Sequence, residues 1–363
     1  MRMRALFPLR ARRRVAALRE EIATHGLDAA RAQALGDALE AAGRLLEAIE
    51  ALTEANRLRP TAAVERRLVR LRRRAFAELV HGAAAPAWQP PEAPSAAWPG
   101  DLPRPVAAAD LTVAVLRAGI ERHGCVWVRG LLPPLRVDRL RDAIDRAFAA
   151  REAVLAGRRT PETAAWYDPV ERVPKDASRH WVRAGQGLLT ADSPRAFFEL
   201  METLRAVRLD RLISAYLGER PALSVEKGTL RRADATLHRS TWHQDGAFLG
   251  AGIRTVNAWL ALSRCGRDAP GLDVVPVRLD RVLPPGEPGT YFAWTVSPET
   301  IARELPGAPI WRPELEPGDA LLFDHLLLHR TAAEPDMPGV RYAIESWFFA
   351  PSVYPRGATP LVV

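Results

Sequence analysis

Four residues of this chain could do redox chemistry together: His243, Asp245, His329 and Arg341. The first two sit in Trp242-His243-Gln244-Asp245-Gly246, and the third ends the run Asp319-Ala320-Leu321-Leu322-Phe323-Asp324-His325-Leu326-Leu327-Leu328-His329. The fourth opens Arg341-Tyr342-Ala343-Ile344-Glu345-Ser346-Trp347-Phe348-Phe349. Two imidazoles and one carboxylate can take one face of an Fe(II) octahedron and leave three positions open. A guanidinium close by can hold a carboxylate by two parallel hydrogen bonds. A chelating 2-oxo acid and O2 would fill the open positions, so the pattern suits oxygen activation at ferrous iron.

Each residue has a plainer reading. A His-x-Asp pair is weak alone, because eight histidines make one by chance unremarkable. The weight comes from a second histidine and an arginine on later strand-like runs. On a strand, His243 and Asp245 would point to one side. His325 competes with His329: four apart on one strand, they would share a face, and spacing does not separate them. The position at a strand end, where substrate can enter, favours His329; His325 reads as a mid-strand residue. Asn257 and Trp259 alternate along Val256-Asn257-Ala258-Trp259-Leu260, so an amide and an indole would face one way, as a pocket for a small dicarboxylate requires. Trp259 reads equally well as core. Lys227 is a weak candidate for pairing with substrate or co-substrate; a solvated surface lysine is the plainer reading. A zinc hydrolase would also use two histidines and a carboxylate, but has no need of an arginine one strand later. No Gly-x-Ser-x-Gly elbow, phosphate-binding loop or Cys-x-x-Cys pair is present.

These residues need a scaffold. Residues 12–80 carry apolar residues at helical spacing, among them Val15, Leu18, Leu35, Leu39, Leu52, Leu68 and Leu71. Leu35, Gly36, Leu39, Ala48, Leu52, Ala55 and Pro60 match the spacing of a tetratricopeptide repeat over about residues 29–62, a helical hairpin of about 34 residues. Ala32 stands where an aromatic is usual. A helix before it (12–26) and one after it (63–80) would cover the hairpin's exposed face. Residues 81–105 are rich in Pro and Ala and read as a linker. From residue 106 to 363, helices at Leu111–His123 and Val137–Leu155 give way to strands. These are expected near Val225–Lys227, Arg254–Leu262, Leu272–Val277, Ala320–Leu328 and Tyr342–Phe349. The Gly318-Asp319 turn would set where the fourth begins. The fold class is therefore α+β, a sheet sandwich closed by helices on one side, behind a small all-α module.

Composition narrows the rest. The chain has 363 residues, 48% hydrophobic, with a formal net charge of +8. Residues 1–80 hold 17 Arg against 10 acids, so nearly all the excess is there. The run Arg66-Arg67 to Arg72-Arg73-Arg74 reads as a solvated helix face, and no nucleic-acid partner is expected. Lysine occurs only at 175 and 227, which reads as base-composition bias. Cys125 and Cys265 cannot form a disulfide framework and fit a reducing cytoplasm. No run approaches the roughly 20 apolar residues of a membrane span, and a secretory signal looks absent.

Over residues 106–350 the chain resembles the phytanoyl-CoA dioxygenase family of iron/2-oxoglutarate oxygenases. The resemblance lies in Ile120–Leu132, the Trp242–Gly246 motif, Val256–Leu262, Gly271-Leu272-Asp273-Val274-Val275-Pro276, Leu328-His329-Arg330-Thr331 and Arg341. It implies a double-stranded β-helix (cupin-like jelly roll) with iron at His243, Asp245 and His329. It also implies 2-oxoglutarate held by Arg341 with help from Trp259, and O2 as oxidant. Related halogenases replace the carboxylate ligand with a small residue; Asp245 points instead to hydroxylation of a small-molecule, peptide or carrier-linked substrate. Members often continue past the strand proline with Gly-Ser-His. Here Val277-Arg278-Leu279 follows, so the substrate does not carry over. Residues 1–80 lie outside the resemblance. They could dock a protein partner, a second copy, or a carrier that delivers substrate. A different class of reading makes the barrel a non-catalytic scaffold behind a partner-binding module.

Overall fold

A computed structural model describes residues 2–81, 89, 91, 98–170, 176–237, 241–250, 252–286 and 293–363. The chain opens with helices α1 (Arg2–His25), α2 (Ala29–Ala41), α3 (Leu45–Leu58), α4 (Ala62–Arg74) and α5 (Phe76–His81). Next come β1 (Val106–Ala107), α6 (Val113–His123), β2 (Cys125–Arg129), α7 (Pro134–Leu155), α8 (Pro161–Trp166), α9 (Asp176–Ala184), β3 (Gly187–Leu189), α10 (Pro194–Ala206) and α11 (Leu209–Leu217). The remainder is β4 (Ala222–Ala233), α12 (Gly246–Leu249), β5 (Thr255–Ala261), β6 (Gly271–Val275), α13 (Pro298–Glu304), β7 (Ala320–Phe323), β8 (Leu328–Ala332), β9 (Arg341–Phe349) and β10 (Pro360–Val362).

Local chemistry sets many of these boundaries. Asp28 caps α2 by accepting from Arg31 N, and the Thr61 and Thr112 hydroxyls cap α4 and α6. Gly124, at φ +73°, ends α6 in the left-handed conformation. In the hairpin of α2 and α3, a Cβ on Gly36 would lie 2.6 Å from Leu52 Cγ, so glycine is what lets the two helices close. The helices α2 and α3 fall where the apolar spacing put them, whereas α1 starts well before residue 12 and the helix expected over 63–80 is split into α4 and α5. Most of the expected linker, 82–88, 90 and 92–97, lies outside the described residues.

Strands run β1-β2-β7-β5-β9-β4-β10 in an eight-stranded sheet, with β3 added beside β4. The second sheet is the antiparallel pair β6–β8. Single bridges at His243–His329, His243–Thr295 and Val274–Trp311 widen it on both sides. The two sheets make the double-stranded β-helix. On β5 and β9 the alternation is clean. Val256, Ala258, Leu260, Ile344 and Phe348 pack against the helices α6, α7, α10 and α11. Trp259, Ala261, Ala343, Trp347 and Phe349 face inward, where Leu272 and Val274 of the small sheet meet them.

One expected strand does not exist. The run Ala320–Leu328 breaks after Phe323, and Asp324–Leu327 carries the chain across from the large sheet to the small one. His329 is consequently the second residue of β8, near its start, and His325 lies in the crossing turn. The break has a side-chain cause: Asp324 accepts from Leu326 N and pairs with the buried Arg278, which holds the turn in place of a ladder.

The N-terminal helices are fastened to the barrel domain. Leu68 and Leu71 of α4 share a cluster with Val362 of β10, while Val69 belongs to the main core. Arg72, 4% exposed, donates to Val362 O at 2.7 Å. Arg195 bonds the buried Glu65, and Arg57 bonds Glu202 through both oxygens at 2.6 and 2.7 Å. Arg67 and Arg74 pair with Glu40. The basic run is thus only partly the solvated face expected of it: Arg70, Arg73 and Arg74 are exposed, but Arg72 is interior and Arg67 pairs with Asp37 and Glu40.

Candidate active site

His243 and His329 stand opposite each other across the antiparallel bridge, with reciprocal backbone N–H···O bonds of 3.0 Å. Their ring centroids are 4.4 Å apart. Each Nδ1 meets a carbonyl two residues earlier, Thr241 O at 2.9 Å and Leu327 O at 3.0 Å. A carbonyl only accepts, so each Nδ1 carries a hydrogen, and it is Nε2 that offers the lone pair in the neutral ring. Asp245 Oδ2 lies 3.6 Å from His329 Nε2. One ligand atom from each of the three residues falls within 4.8 Å of the others, the arrangement a single ion would bridge. Burial first, and then the neighbouring His329, push the His243 imidazolium down to about 4. The ring is therefore neutral, as a ligand must be, across the physiological range.

Asp245 reaches this point by a different route from the one its spacing suggests. It is not two residues along a strand from His243; at φ −62°, ψ −24° it begins the turn of α12. Gly246 N donates to His325 O, and a Cβ on Gly246 would lie 3.0 Å from the His325 ring. Gln244 ties the segment down from the other side, donating to Leu326 O and Arg281 O and accepting from Leu283 N. His325 and His329 share no strand face. His325 packs behind Gly246, and His329 alone joins the cluster.

Arg341 enters from β9, 2% exposed, with its guanidinium carbon 5.8 Å from the Trp259 ring. Nη1 donates to Gly271 O at 3.3 Å, and Nε has no partner among the described residues. Trp259 Nε1 and Asn257 Oδ1 are likewise buried without partners. Buried polar groups left unpaired cost about 1–3 kcal/mol each. Three such atoms on one inward face mark a place where a polar ligand completes the bonding. Burial lowers the Arg341 pKa to about 10, which still leaves a cation at neutral pH. The donor set and the His-Asp-His cluster both face the barrel interior, and their chemistry fits an iron ion together with a small dicarboxylate.

Four neighbours escaped the sequence reading or were misjudged by it. Lys227 is no solvated surface lysine: its Nζ lies 3.4 Å from Asp245 Oδ1 and 3.8 Å above the Phe248 ring. Phe248 and Trp294 stand 5.6 Å apart, and Trp294 contacts the His243 ring at 5.3 Å, so two aromatic rings flank the metal ligands. Glu345 occupies the inward face of β9 with Arg231 of β4 beside it. The signal for Glu345 was present in the alternation from Arg341 through Ala343 to Glu345. The aromatics come from stretches with no regular period.

A double-stranded β-helix with a His-x-Asp…His cluster and an inward arginine defines the class of 2-oxoglutarate-dependent non-haem iron oxygenases. The profile of the phytanoyl-CoA dioxygenase (PhyH) family matches residues 120–334, more than half of the chain, and the chain belongs to that family. It is a dioxygenase that takes iron, 2-oxoglutarate and O2. No curated protein matches the chain. Among solved structures it is similar to SnoK, a non-heme alpha ketoglutarate dependent carbocyclase from nogalamycin biosynthesis, at 15% identity and TM-score 0.43, covering 68% of this chain and 87% of that one. EctD from S. alaskensis, solved with 2-oxoglutarate and 5-hydroxyectoine, is similar at 19% identity and TM-score 0.46, over 64% and 74%. EvdO2 from Micromonospora carbonacea var. aurantiaca is similar at 16% and 0.42, over 68% and 91%. These are likenesses of outline; the family assignment rests on the sequence match.

Proposed function

We propose that this dioxygenase hydroxylates an unactivated C–H bond of a small-molecule, peptide or carrier-linked substrate, releasing succinate and CO2. The observation that carries the reading is the convergence of His243, Asp245 and His329 within 4.8 Å, beside an inward guanidinium whose Nε lacks a partner. When bound, iron and 2-oxoglutarate supply the oxidising power: O2 is reduced as 2-oxoglutarate loses CO2, one oxygen atom entering succinate and the other the substrate.

The chain's own residues do the rest. His243 and His329 would hold the metal through Nε2, their ring orientations set by the Thr241 and Leu327 carbonyls. Asp245 would supply the third ligand and carries the charge that favours hydroxylation over halogenation. Arg341 anchors the far carboxylate of 2-oxoglutarate, with Trp259 Nε1 as an additional donor and Asn257 beside it. Phe248 and Trp294 line the approach to the ligand face with aromatic rings. Lys227 offsets the negative charge of Asp245 and of the chelating carboxylate. We place the enzyme in the cytoplasm, where the two free thiols, pushed up to about 12 by burial, stay reduced. No helix among the described residues is long and apolar enough to cross a membrane.

The test is anaerobic titration with Fe(II) followed by 2-oxoglutarate. A weak metal-to-ligand charge-transfer band in the visible is expected, and its absence would overturn the reading in favour of a scaffold. Screening small acids, lipids and carrier-bound thioesters for stimulated succinate release then identifies the substrate class.

A further inference from the structure

The inward face of the barrel carries three charges in one row, and only one of them has an assigned role. Arg341 is the co-substrate anchor; Arg231 and Glu345 are extra. Glu345 stands across β9 from Trp259 on one side and from Thr229 on the other. Between Arg341 and Glu345 the only inward residue on β9 is Ala343, paired with Ala261 on β5 and with Arg231 on β4, so on the β5 side no bulky side chain separates the two charges. A carboxylate within electrostatic reach of a buried guanidinium is expected to close on it as an ion pair. It does not: among the described residues Arg341 hydrogen-bonds only to Gly271 O.

The reason lies on β4. Thr229 Oγ1 donates to Glu345 Oε2 at 2.9 Å. Arg231 donates to both oxygens, Nε to Oε1 at 3.3 Å and Nη2 to Oε2 at 3.4 Å. Arg231 is itself clamped, because Nη1 donates to Gly185 O at 2.8 Å and to Val182 O at 3.4 Å. A Cβ on Gly185 would lie 2.2 Å from that Nη1, so the glycine makes the seat. Burial alone would raise the Glu345 pKa, but Arg231 and Arg341 together bring it down to about 2. The carboxylate is therefore charged whenever the enzyme works, and is a standing competitor for Arg341. Counting the row, two cations and one anion leave one positive charge unmatched.

We propose that Arg231 and Thr229 restrain Glu345 and so keep the Arg341 guanidinium open for the co-substrate's far carboxylate. Arg231 is a positioning residue, acting through Glu345. The inference rests on the proposed role of Arg341 in holding 2-oxoglutarate, and goes beyond it by assigning a device that protects that role.

The test uses the full chain loaded anaerobically with Fe(II) and titrated with 2-oxoglutarate, read by the charge-transfer band and independent of turnover. Arg231→Met should weaken 2-oxoglutarate binding by about tenfold, the scale of one competing charge pair. Glu345→Gln, which removes the competitor, should bind no more weakly than the wild type. The double variant Arg231→Met/Glu345→Gln should recover most of the lost affinity, and Arg231→Lys should stay close to the wild type. Thr229→Val gives a second route if Arg231→Met fails to fold: a smaller weakening, again cancelled by Glu345→Gln. The inference is overturned if the Arg231→Met or Thr229→Val affinity is unchanged, or if the double variant binds as weakly as the single one. The latter marks a merely structural arginine. Failure of the wild type to bind 2-oxoglutarate would instead sink the functional reading itself.

Discussion

The seam between the N-terminal helices and the barrel domain and the interior of the barrel both bury charge, but they treat it oppositely. At the seam the buried groups are matched. Glu65 takes Arg195 and Arg72 donates to Val362 O, and nearer the surface Glu202 takes both ends of Arg57. In the barrel, Arg341 Nε, Trp259 Nε1 and Asn257 Oδ1 have no partner among the described residues, and Arg341 forms no ion pair with Glu345. Matched burial offsets part of the desolvation penalty that an unpartnered buried charge would bear in full. Unmatched burial costs stability that a ligand can return. The contrast separates the part of the molecule that holds shape from the part that does chemistry, without reference to any other protein.

Breaking each side of that contrast should have different consequences. The largest effect is expected of Asp245→Ala: succinate release and Fe(II) affinity, measured by anaerobic titration, should fall by more than about 100-fold, beyond what an outer partner of a metal ligand contributes. Retained 2-oxoglutarate turnover would refute the metal centre. Next, Arg341→Met should raise the 2-oxoglutarate Kd by about 100-fold while leaving Fe(II) binding alone, as truncating one partner of a buried charge pair does. A parallel loss of both affinities would show that Arg341 shapes the barrel instead.

At the seam the outcomes reverse. Arg195→Met strands Glu65, whose side chain is 1% exposed, and should cost about 2 kcal/mol in denaturant unfolding, below the usual figure for a buried pair because Arg195 is partly solvated. Iron and 2-oxoglutarate titrations should not move. Burial already holds Glu65 above the usual carboxylate range despite Arg195. A raised folded pKa means that stability is lost as pH rises through it, so the deficit should grow from mildly acidic to neutral pH. A deficit independent of pH would contradict this account. The smallest effect is expected of Gly36→Ala, whose Cβ presses on Leu52: about 1 kcal/mol of stability and no change at the active site. This coupling also limits truncation. Removing residues 1–80 exposes the core contacts of α4 and leaves Arg195 and Glu202 unpartnered, so substrate delivery by the helices is better tested with surface variants of α2 and α3.

Much of this was legible along the chain. The period of 3.6 gave α2, α3 and α4, and the period of 2 gave β5 and β9 with Asn257, Trp259 and Arg341 on one face. Residue types singled out His243, Asp245 and His329, which the fold brings within 4.8 Å of one another, and the inward Arg341. Other features were not legible because they depend on partners distant in sequence. The break after Phe323 needed the Arg278–Asp324 pair, 46 residues apart. The burial of Arg72 needed a strand at the other end of the chain. Lys227 looked like surface until α12 brought Phe248 and Asp245 to it.

What the sequence determined by itself is the inventory: which side chains can ligate, which can pair with a carboxylate, and which faces of helix and strand must be buried. These follow from residue chemistry and local period, which neighbours in the chain set. Only the tertiary structure decided which candidates meet. It joined His329 and not His325 to His243, turned Asp245 inward from a helix start, and kept Glu345 away from Arg341. Those outcomes depend on which sheet a strand joins and on long-range hydrogen bonds, and no short window of sequence contains both partners.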